Sequence, residues 1–363
     1  MSAKKMQSPW TTLHVLLVVL IVIATLANVI LSFYVSRAGE EPVIDIVPSE
    51  SSSLRATVIQ PFCDQCVNAS EIVQALELAG LVFEEVEYKT QAQAVSLIEE
   101  FSIEKLPAIV IEGADPRLDQ IPLFVKSDSG YVLSDSLVPY SNLDGEVFGL
   151  VTALVLEDEN CPECFDTQRL LSQLELNGMV FSAIETIESS SADGQRLLDH
   201  YNITRTPSLI LSNDASEYEF IRAGWQSIGS VESDGKYVLR DTPAPYVDRE
   251  EKTVRGLATM IILTDETCET CSDTSAVTSI FEDNFGMVFL SQVSYDVSSP
   301  DGQRLMSRYA INVTPTVLFN KEAQYYQGIQ ATWSDLGTVE NDGMYVLRNL
   351  DALNVVYKTH EVS

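Results

Sequence analysis

The sequence predicts an α/β protein built from three tandem copies of one unit, placed behind a single N-terminal apolar segment. Three observations predict it. Leu13–Val35 carries no formal charge over 23 residues, a Cys-X-X-Cys pair recurs at Cys63/Cys66, Cys161/Cys164 and Cys268/Cys271, and the same markers follow each pair in the same order. Self-similarity at a period of roughly 100 residues is the signature of repeated structural units.

The apolar segment is long enough to cross a bilayer as a helix, at about 1.5 Å per residue. Trp10 and Tyr34 lie near its two ends, where amphipathic rings favour the membrane–water interface. Lys4 and Lys5 precede it, whereas Arg37 and then Glu40, Glu41 and Asp45 follow it. The positive-inside rule therefore predicts a cytoplasmic tail at residues 1–12, a transmembrane helix at 13–35 and everything else beyond the membrane. The apolar region of a cleaved signal peptide is shorter, about 7–15 residues. The small-residue sites near Ala27 and Ala38 are also poor for cleavage, so an uncleaved anchor is the expectation.

The 363 residues include 22 basic and 53 acidic ones, a formal charge of −31. Of these, 20 basic and all 53 acidic residues lie after Ser36. This excess opposes a phosphate backbone, so no nucleic acid is expected as a partner. It equally opposes docking on an anionic lipid surface; contact with the bilayer is expected only through the one helix. With nine lysines, the acidic surface keeps the chain soluble by self-repulsion and would suit a salty medium.

Each copy opens on an apolar run: Leu54–Gln60, Gly149–Leu156 and Gly256–Leu263. These runs predict strands leading into the cysteines. Val67–Ala79 then shows Ile72, Val73, Leu76 and Ala79 at helical spacing, and Gly80 stops the helix. Gly178 and Gly286 occupy the equivalent places. Val82–Tyr88, Val180–Thr186 and Val288–Tyr295 are rich in branched and aromatic residues and predict strands. Second helices are expected over Gln91–Phe101, Asp193–Tyr201 and Asp301–Tyr309. In the last two copies these lie within a shared S-x-D-G-Q-R-L-x-x-x-Y-x-I-x-x-T-P pattern.

Pro107, Pro207 and Pro315 stand 41, 43 and 44 residues beyond the second cysteine of each pair. Apolar runs at Ala108–Ile111, Ser208–Leu211 and Thr316–Phe319 follow them. Tyr-Val-Leu strings at Tyr131, Tyr237 and Tyr345 then close each copy; the last two are read as hairpins turning at Asp234-Gly235 and Asp342-Gly343. The expected domains are 54–138, 148–241 and 256–352, with linkers at 36–53 and near Pro139–Glu146 and Thr242–Arg255. Alternating strands and helices imply an open sheet with helices packed on it.

A CxxC between a strand and a helix, with a proline about forty residues on and before the next strand, resembles the thioredoxin superfamily. Three copies behind an anchor look like a membrane-bound relative of the multi-domain protein disulfide isomerases. At a helix start, cysteines three apart lie on one face, and the positive end of the helix favours the thiolate of the first. The resemblance implies that Cys63, Cys161 and Cys268 attack a disulfide and that Cys66, Cys164 and Cys271 resolve the mixed disulfide. It also implies cis prolines at Pro107, Pro207 and Pro315 that shape a substrate-binding loop, with Thr206 and Thr314 before two of them and Leu106 before the other.

The departures are equally plain. The centres read Asp64-Gln65, Pro162-Glu163 and Glu269-Thr270, with acids in each, and more acids at Glu157–Glu159 and at Asp265 and Glu266. Negative charge disfavours a thiolate, so thiols near the free pKa are expected. The family's buried acid, six residues before the first cysteine, is replaced by Thr57, Val155 and Ile262.

The predicted function is thiol–disulfide exchange beyond the cytoplasmic membrane, with cysteine-containing exported proteins or a membrane redox partner as counterpart, no cofactor and no metal. The pair Cys161/Cys164, with its Pro-Glu centre, looks nearest to an active centre. The alternative is a non-catalytic binding scaffold whose cysteine pairs are structural disulfides, as oxidising compartments permit. Zinc is disfavoured because a closed site needs four ligands, and the pairs lie far apart with only His14, His200 and His360 to assist. Trp225, Trp333 and the matched Phe83, Phe181 and Phe289 are expected to pack, and the arginines of the Asp-Gly-Gln-Arg strings to be solvated.

Overall fold

The computed structural model describes residues 54–61, 63–133 and 137–360. The segment Leu13–Val35 lies outside them, and no helix among the described residues is long and apolar enough to cross a membrane. The chain divides into two compact units, residues 1–148 and 149–363. The first holds one five-stranded sheet and the second holds two.

In the first unit, β1 (Leu54–Gln60) leads through the cysteines to α1 (Ala69–Leu78), then β2 (Phe83–Thr90), α2 (Val95–Glu100), β3 (Lys105–Leu106), β4 (Ala108–Glu112), β5 (Val125–Lys126) and β6 (Gly130–Leu133). Two further short strands, β7 (Tyr140–Asn142) and β8 (Val147–Phe148), follow. The main sheet runs β2-β1-β4-β6-β5. β1 is parallel to β2 and antiparallel to β4. This geometry follows from burial: β4 is buried at four of its five positions and needs a partner on each side, whereas β2 carries exposed acids and takes the edge. Helices cover both faces. Ala56 and Val58 pack with Val73 and Leu76 of α1, while Ile59 on the other face packs with Ile98 of α2.

The second unit repeats the plan twice. Its first half has β9 (Leu150–Glu157), α3 (Thr167–Leu176), β10 (Val180–Glu188), α4 (Ala192–His200), β11 (Arg205–Thr206), β12 (Ser208–Leu211), α5 (Glu219–Gly224), β13 (Gly229–Val231), β14 (Tyr237–Leu239), β15 (Tyr246–Asp248) and β16 (Thr253–Arg255). Its second half has β17 (Leu257–Thr264), α6 (Thr274–Ser279), β18 (Val288–Asp296), α7 (Pro300–Arg308), β19 (Val313–Thr314), β20 (Thr316–Phe319), α8 (Gln327–Leu336), β21 (Gly337–Val339), β22 (Tyr345–Leu347) and β23 (Lys358–Thr359). The sheets run β10-β9-β12-β14-β13 and β18-β17-β20-β22-β21, the same order as in the first unit.

The halves meet through side chains. Tyr246 and Tyr325 stack edge-on at 6.1 Å between centroids, Arg255 lies over Tyr325 at 5.2 Å, and Gln327 donates to Asp241. The expected glycine stops are present: Gly80, Gly178 and Gly286 have φ of 93°, 92° and 63°, a region that favours glycine. Ser191 and Ser299 cap α4 and α7 by accepting from the N–H of Gly194 and Gly302. Arg196 and Arg304 are solvated as expected and pair with Asp193 and Asp301. Trp225 and Trp333 are buried, each donating its indole N–H to a backbone carbonyl, of Ser230 and of Thr338. Phe83 and Phe289 are half-buried and pack against the apolar clusters, and Phe181 is also half-buried.

Two expectations need correction. Pro139–Glu146 and Thr242–Arg255, read as linkers, contain β7, β15 and β16. They form small sheets of their own, ordered β3-β7-β8 and β11-β15-β16. The second helix of the first copy, expected as one run over Gln91–Phe101, is a 3₁₀ turn at Gln91–Gln93 followed by the shorter α2.

Candidate active site

Each cysteine pair occupies a turn between the first strand of its copy, an inner strand of the sheet, and the following helix. All three pairs are disulfides, with Cα–Cα distances of 5.3, 5.3 and 5.6 Å. Placement of both cysteines on one face at the helix start is corrected here: they lie ahead of the helix. Asn68, Asp166 and Asp273 are the N-caps, and their side chains accept from the N–H groups of Ser70, Gln168 and Ser275. The positive end of the helix is therefore met by a capping oxygen two residues beyond the second cysteine, a carboxylate in two of the copies. Hydrogen bonding to Ser275 holds the Asp273 carboxyl below its ordinary range.

The turns are closed locally. The N–H of Cys66 donates to Cys63 O at 3.4 Å, and that of Cys164 to Cys161 O at 3.1 Å. The N–H groups of Cys161 and Cys268 donate to Asp158 O and Asp265 O, both at 3.0 Å.

The three predicted prolines follow cis peptide bonds: Leu106-Pro107, Thr206-Pro207 and Thr314-Pro315. In the second copy, Pro207 lines a cavity of about 440 Å³ together with Cys161, Cys164 and Pro162, rimmed by Glu157, Asp158, Glu159 and Asp166. In the third, Cys271 Sγ lies 3.5 Å from the carbonyl oxygen of Thr314. Cys161 itself is only 6% exposed, whereas Cys63 and Cys268 are half-buried. The pair whose Pro-Glu centre looks nearest to an active centre thus has the least accessible first cysteine of the three.

The substrate-binding role implied for the prolines needs an open edge beside them. Instead, the strand before each proline is paired. Leu106 faces Ser141, Thr206 faces Val247, and Thr314 faces Lys358, all antiparallel. The covering strand also reaches the cysteine turn. The N–H of Val67 donates to Pro139 O at 3.1 Å, that of Phe165 to Pro245 O at 2.8 Å, and that of Ser272 to Val356 O at 2.9 Å. Leu106, Thr206 and Thr314 are buried as a result.

Thr57, Val155 and Ile262 are buried on β1, β9 and β17, so apolar side chains and a hydroxyl stand where the resemblance would place a buried acid. Near the third pair, sequence reading missed two groups. Lys358 Nζ lies 2.6 Å from Asp265 Oδ2 and 2.8 Å from Thr267 Oγ1. His360 Nε2 lies 2.7 Å from Thr314 Oγ1 and 3.8 Å from Asp265 Oδ2. The hydrogen bond from Lys358, then that from Thr267, pulls the Asp265 carboxyl down to about 2 despite its burial. The repulsion of a thiolate expected from Asp265 is therefore compensated in place. Among the described residues no cluster of three His, Cys, Asp or Glu side chains is arranged to hold a metal ion.

No family model matches the chain, and no curated protein matches it. Solved structures with some likeness include the alkylhydroperoxide reductase component AhpF of Enterococcus faecalis, at 18% identity and TM-score 0.14, covering 47% of this chain and 80% of that one. A crystal form of ERdj5 is 10% identical, with TM-score 0.14, over 79% of this chain and 40% of its own. Human ERp44 is 10% identical, with TM-score 0.13, over 74% and 78%. Overlaps this slight carry no argument. Each copy shares its own features with the others: one strand order, a CxxC at the end of its first strand, and a cis proline at the start of the antiparallel neighbour.

Proposed function

We propose that the chain is a thiol–disulfide oxidoreductase of three tandem thioredoxin-like modules, anchored by Leu13–Val35 and acting beyond the membrane on cysteines of exported proteins. The observation that carries this reading is the threefold recurrence of a bonded cysteine pair in a turn at the end of an inner strand, with a cis proline heading the antiparallel strand beside it.

The disulfide form is the oxidant. A substrate thiolate attacks one sulfur, the Cys268–Cys271 bond breaks, and a mixed disulfide with Cys268 forms while Cys271 leaves as a thiolate. A second substrate thiolate then attacks the substrate sulfur of the mixed disulfide and expels Cys268. The substrate loses two electrons to the pair, and its protons end on the two module thiols or in water. The reverse sequence reduces a substrate disulfide. Which direction prevails depends on the reduction potential of the pair against its surroundings.

A second reading, a binding scaffold with structural disulfides, is favoured by one specific observation: the burial of Cys161, 6% exposed. Thiol trapping in graded redox buffers separates the two. Exchange predicts that at least the third pair changes state across the extracytoplasmic range. If all three resist everything but strong reductant, the scaffold stands. In the Cys271→Ser chain, Cys268 should hold partner proteins as mixed disulfides, and none should be held by the Cys268→Ser/Cys271→Ser chain.

A further inference from the structure

The three covering strands are not held alike. β7 and β15 are each paired on both sides, by β3 and β8 and by β11 and β16. β23 has one partner only among the described residues, β19, through Val313↔Thr359 and Thr314↔Lys358. Its other backbone anchors are His360 N–H to Asn312 O at 2.7 Å, Val356 N–H to Ser272 Oγ at 2.8 Å and Ser272 N–H to Val356 O at 2.9 Å. Val356 is 55% exposed and Thr359 is also exposed, and within the segment only the half-buried Tyr357 packs against the apolar cluster. Its side chains add the His360 ring on Thr314 Oγ1, Lys358 on Thr267 Oγ1, and one close charge pair, Lys358 on Asp265, whose side chain is only 5% exposed.

This segment crosses the strand before Pro315 in extended form and touches the residue behind Cys271. It thus fills the place an extended peptide would take by adding a strand to that edge. We propose that Val356–His360 is a self-docked peptide closing the third site, and that an extended peptide carrying a lysine or arginine opposite Asp265 displaces it. The basic residue is required because removing Lys358 leaves a nearly buried carboxylate uncompensated, which is costly. An acidic or neutral residue at that position does not offset the loss. The first two sites, covered by strands paired on both sides, stay shut under the same challenge.

The proposal rests on the exchange reading for its purpose, and its test does not. The probe is a fluorescent synthetic peptide of residues 354–363, which contains no cysteine, added to the chain lacking residues 358–363. That chain keeps the buried anchor Val355. The expected result is saturable binding to the shortened chain and at least about tenfold weaker binding to the complete chain, where the site is filled. The Lys358→Glu version of the peptide should bind the shortened chain at least about tenfold more weakly. Equal binding to both chains, or equal binding of both peptides, overturns the proposal.

Hydrogen exchange on the complete chain covers the case in which the shortened chain misfolds. The amides of Thr314 and His360 should exchange faster than those of Thr206 and Val247, and faster still in Lys358→Ala. Equal protection at the two sites, or no change on that substitution, also overturns it. If the peptide binds as expected while a cysteine-containing version forms no mixed disulfide with Cys268, the exchange reading fails and the docking survives.

Discussion

The backbone N–H of Phe165 donates to the carbonyl oxygen of Pro245 at 2.8 Å. That bond ties the residue behind Cys164 to a segment which, two residues later, pairs Val247 with Thr206. The cysteine turn, the strand before the cis proline and the covering strand are thereby joined in one hydrogen-bonded set. The same set recurs through Val67 and Pro139, and through Ser272 and Val356. The covering strand is therefore tied to each cysteine turn and to the strand before each proline by backbone hydrogen bonds.

The order of thiol reactivity follows. After reduction, Cys161, buried at 6%, should react with a bulky maleimide more slowly than the half-buried Cys63 and Cys268 by about an order of magnitude, since reactivity needs both thiolate and access. Peptide mapping of a time course reads this directly. Cys161 labelling as fast as Cys268 would show that the second site opens in solution.

Two glycines in the shared Asp-Gly-Gln-Arg pattern are required by packing. A Cβ on Gly302 would sit 2.1 Å from Asp296 O, and one on Gly194 would sit 2.2 Å from Glu188 O. The helix start is thus pressed against the end of the preceding strand. Either glycine changed to alanine should destabilise its half by about 1–3 kcal/mol in a denaturant titration. Gly224, with open space around its Cβ position in helix α5, is the control. Its alanine variant should be neutral or more stable by up to about 1 kcal/mol.

Tyr326 joins two strands from below. Its hydroxyl donates to Gly256 O at 2.6 Å and accepts from Val288 N–H at 2.8 Å. Tyr218 does the same for Gly149 O and Val180 N–H. Burial pushes the Tyr326 hydroxyl up from 10.0 to about 12. The folded state holds the neutral form, so this contribution is complete below pH 10 and is lost as pH rises towards 12. Tyr326→Phe should cost about 1–3 kcal/mol at neutral pH, because it leaves the Val288 N–H unpaired. The variant should also lose less stability than the parent between pH 10 and 12; equal alkaline losses would assign that loss to other tyrosines.

Most of the scaffold was legible because each copy checks the others. One CxxC, one glycine stop and one proline are weak alone, and three in the same order place most strands and helices to within a residue or two, the second helix of the first copy starting four residues later than expected. What escaped were the helices α5 and α8, which lie between the post-proline strand and the last hairpin of their copies, and the covering strands. β7 and β15 are three residues long, too short for alternation to show, and a proline just before each reads as a break. A signal was nevertheless present: Pro139-Tyr140, Pro245-Tyr246 and Val356-Tyr357 each follow a Tyr-Val-Leu string, so the repeat runs past the assigned ends. Lys358 and His360 were illegible for a different reason. They meet Asp265 and Thr314 only after the chain has turned back across more than forty intervening residues, and no local pattern encodes that. The position of the cysteines ahead of the helix was missed because a capping Asn or Asp, at Asn68, Asp166 and Asp273, was not read as the true helix start.

Acid should loosen the third covering strand before the other two. Asp265 is faced by Lys358 and His360 from the covering segment and by Thr267 from its own turn, and it lies near Asp296, whose carboxylate accepts the Glu266 N–H. Lys358, followed by Thr267, lowers the Asp265 carboxyl from 3.8 to about 2. A depressed carboxyl stabilises the docked state above its unfolded value and stops doing so as pH falls through the folded one. Protection of the Thr314 amide should therefore hold down to pH 3.8 and fall between there and about 2. Thr206 faces the uncharged Val247 instead, and its protection should fall only with global unfolding. In Asp265→Asn the third strand should be looser at neutral pH, because Lys358 loses its charge partner, and the acid step should disappear. An acid step that persists in Asp265→Asn would move its origin to Asp296 or another carboxylate and leave Lys358 without the anchoring role.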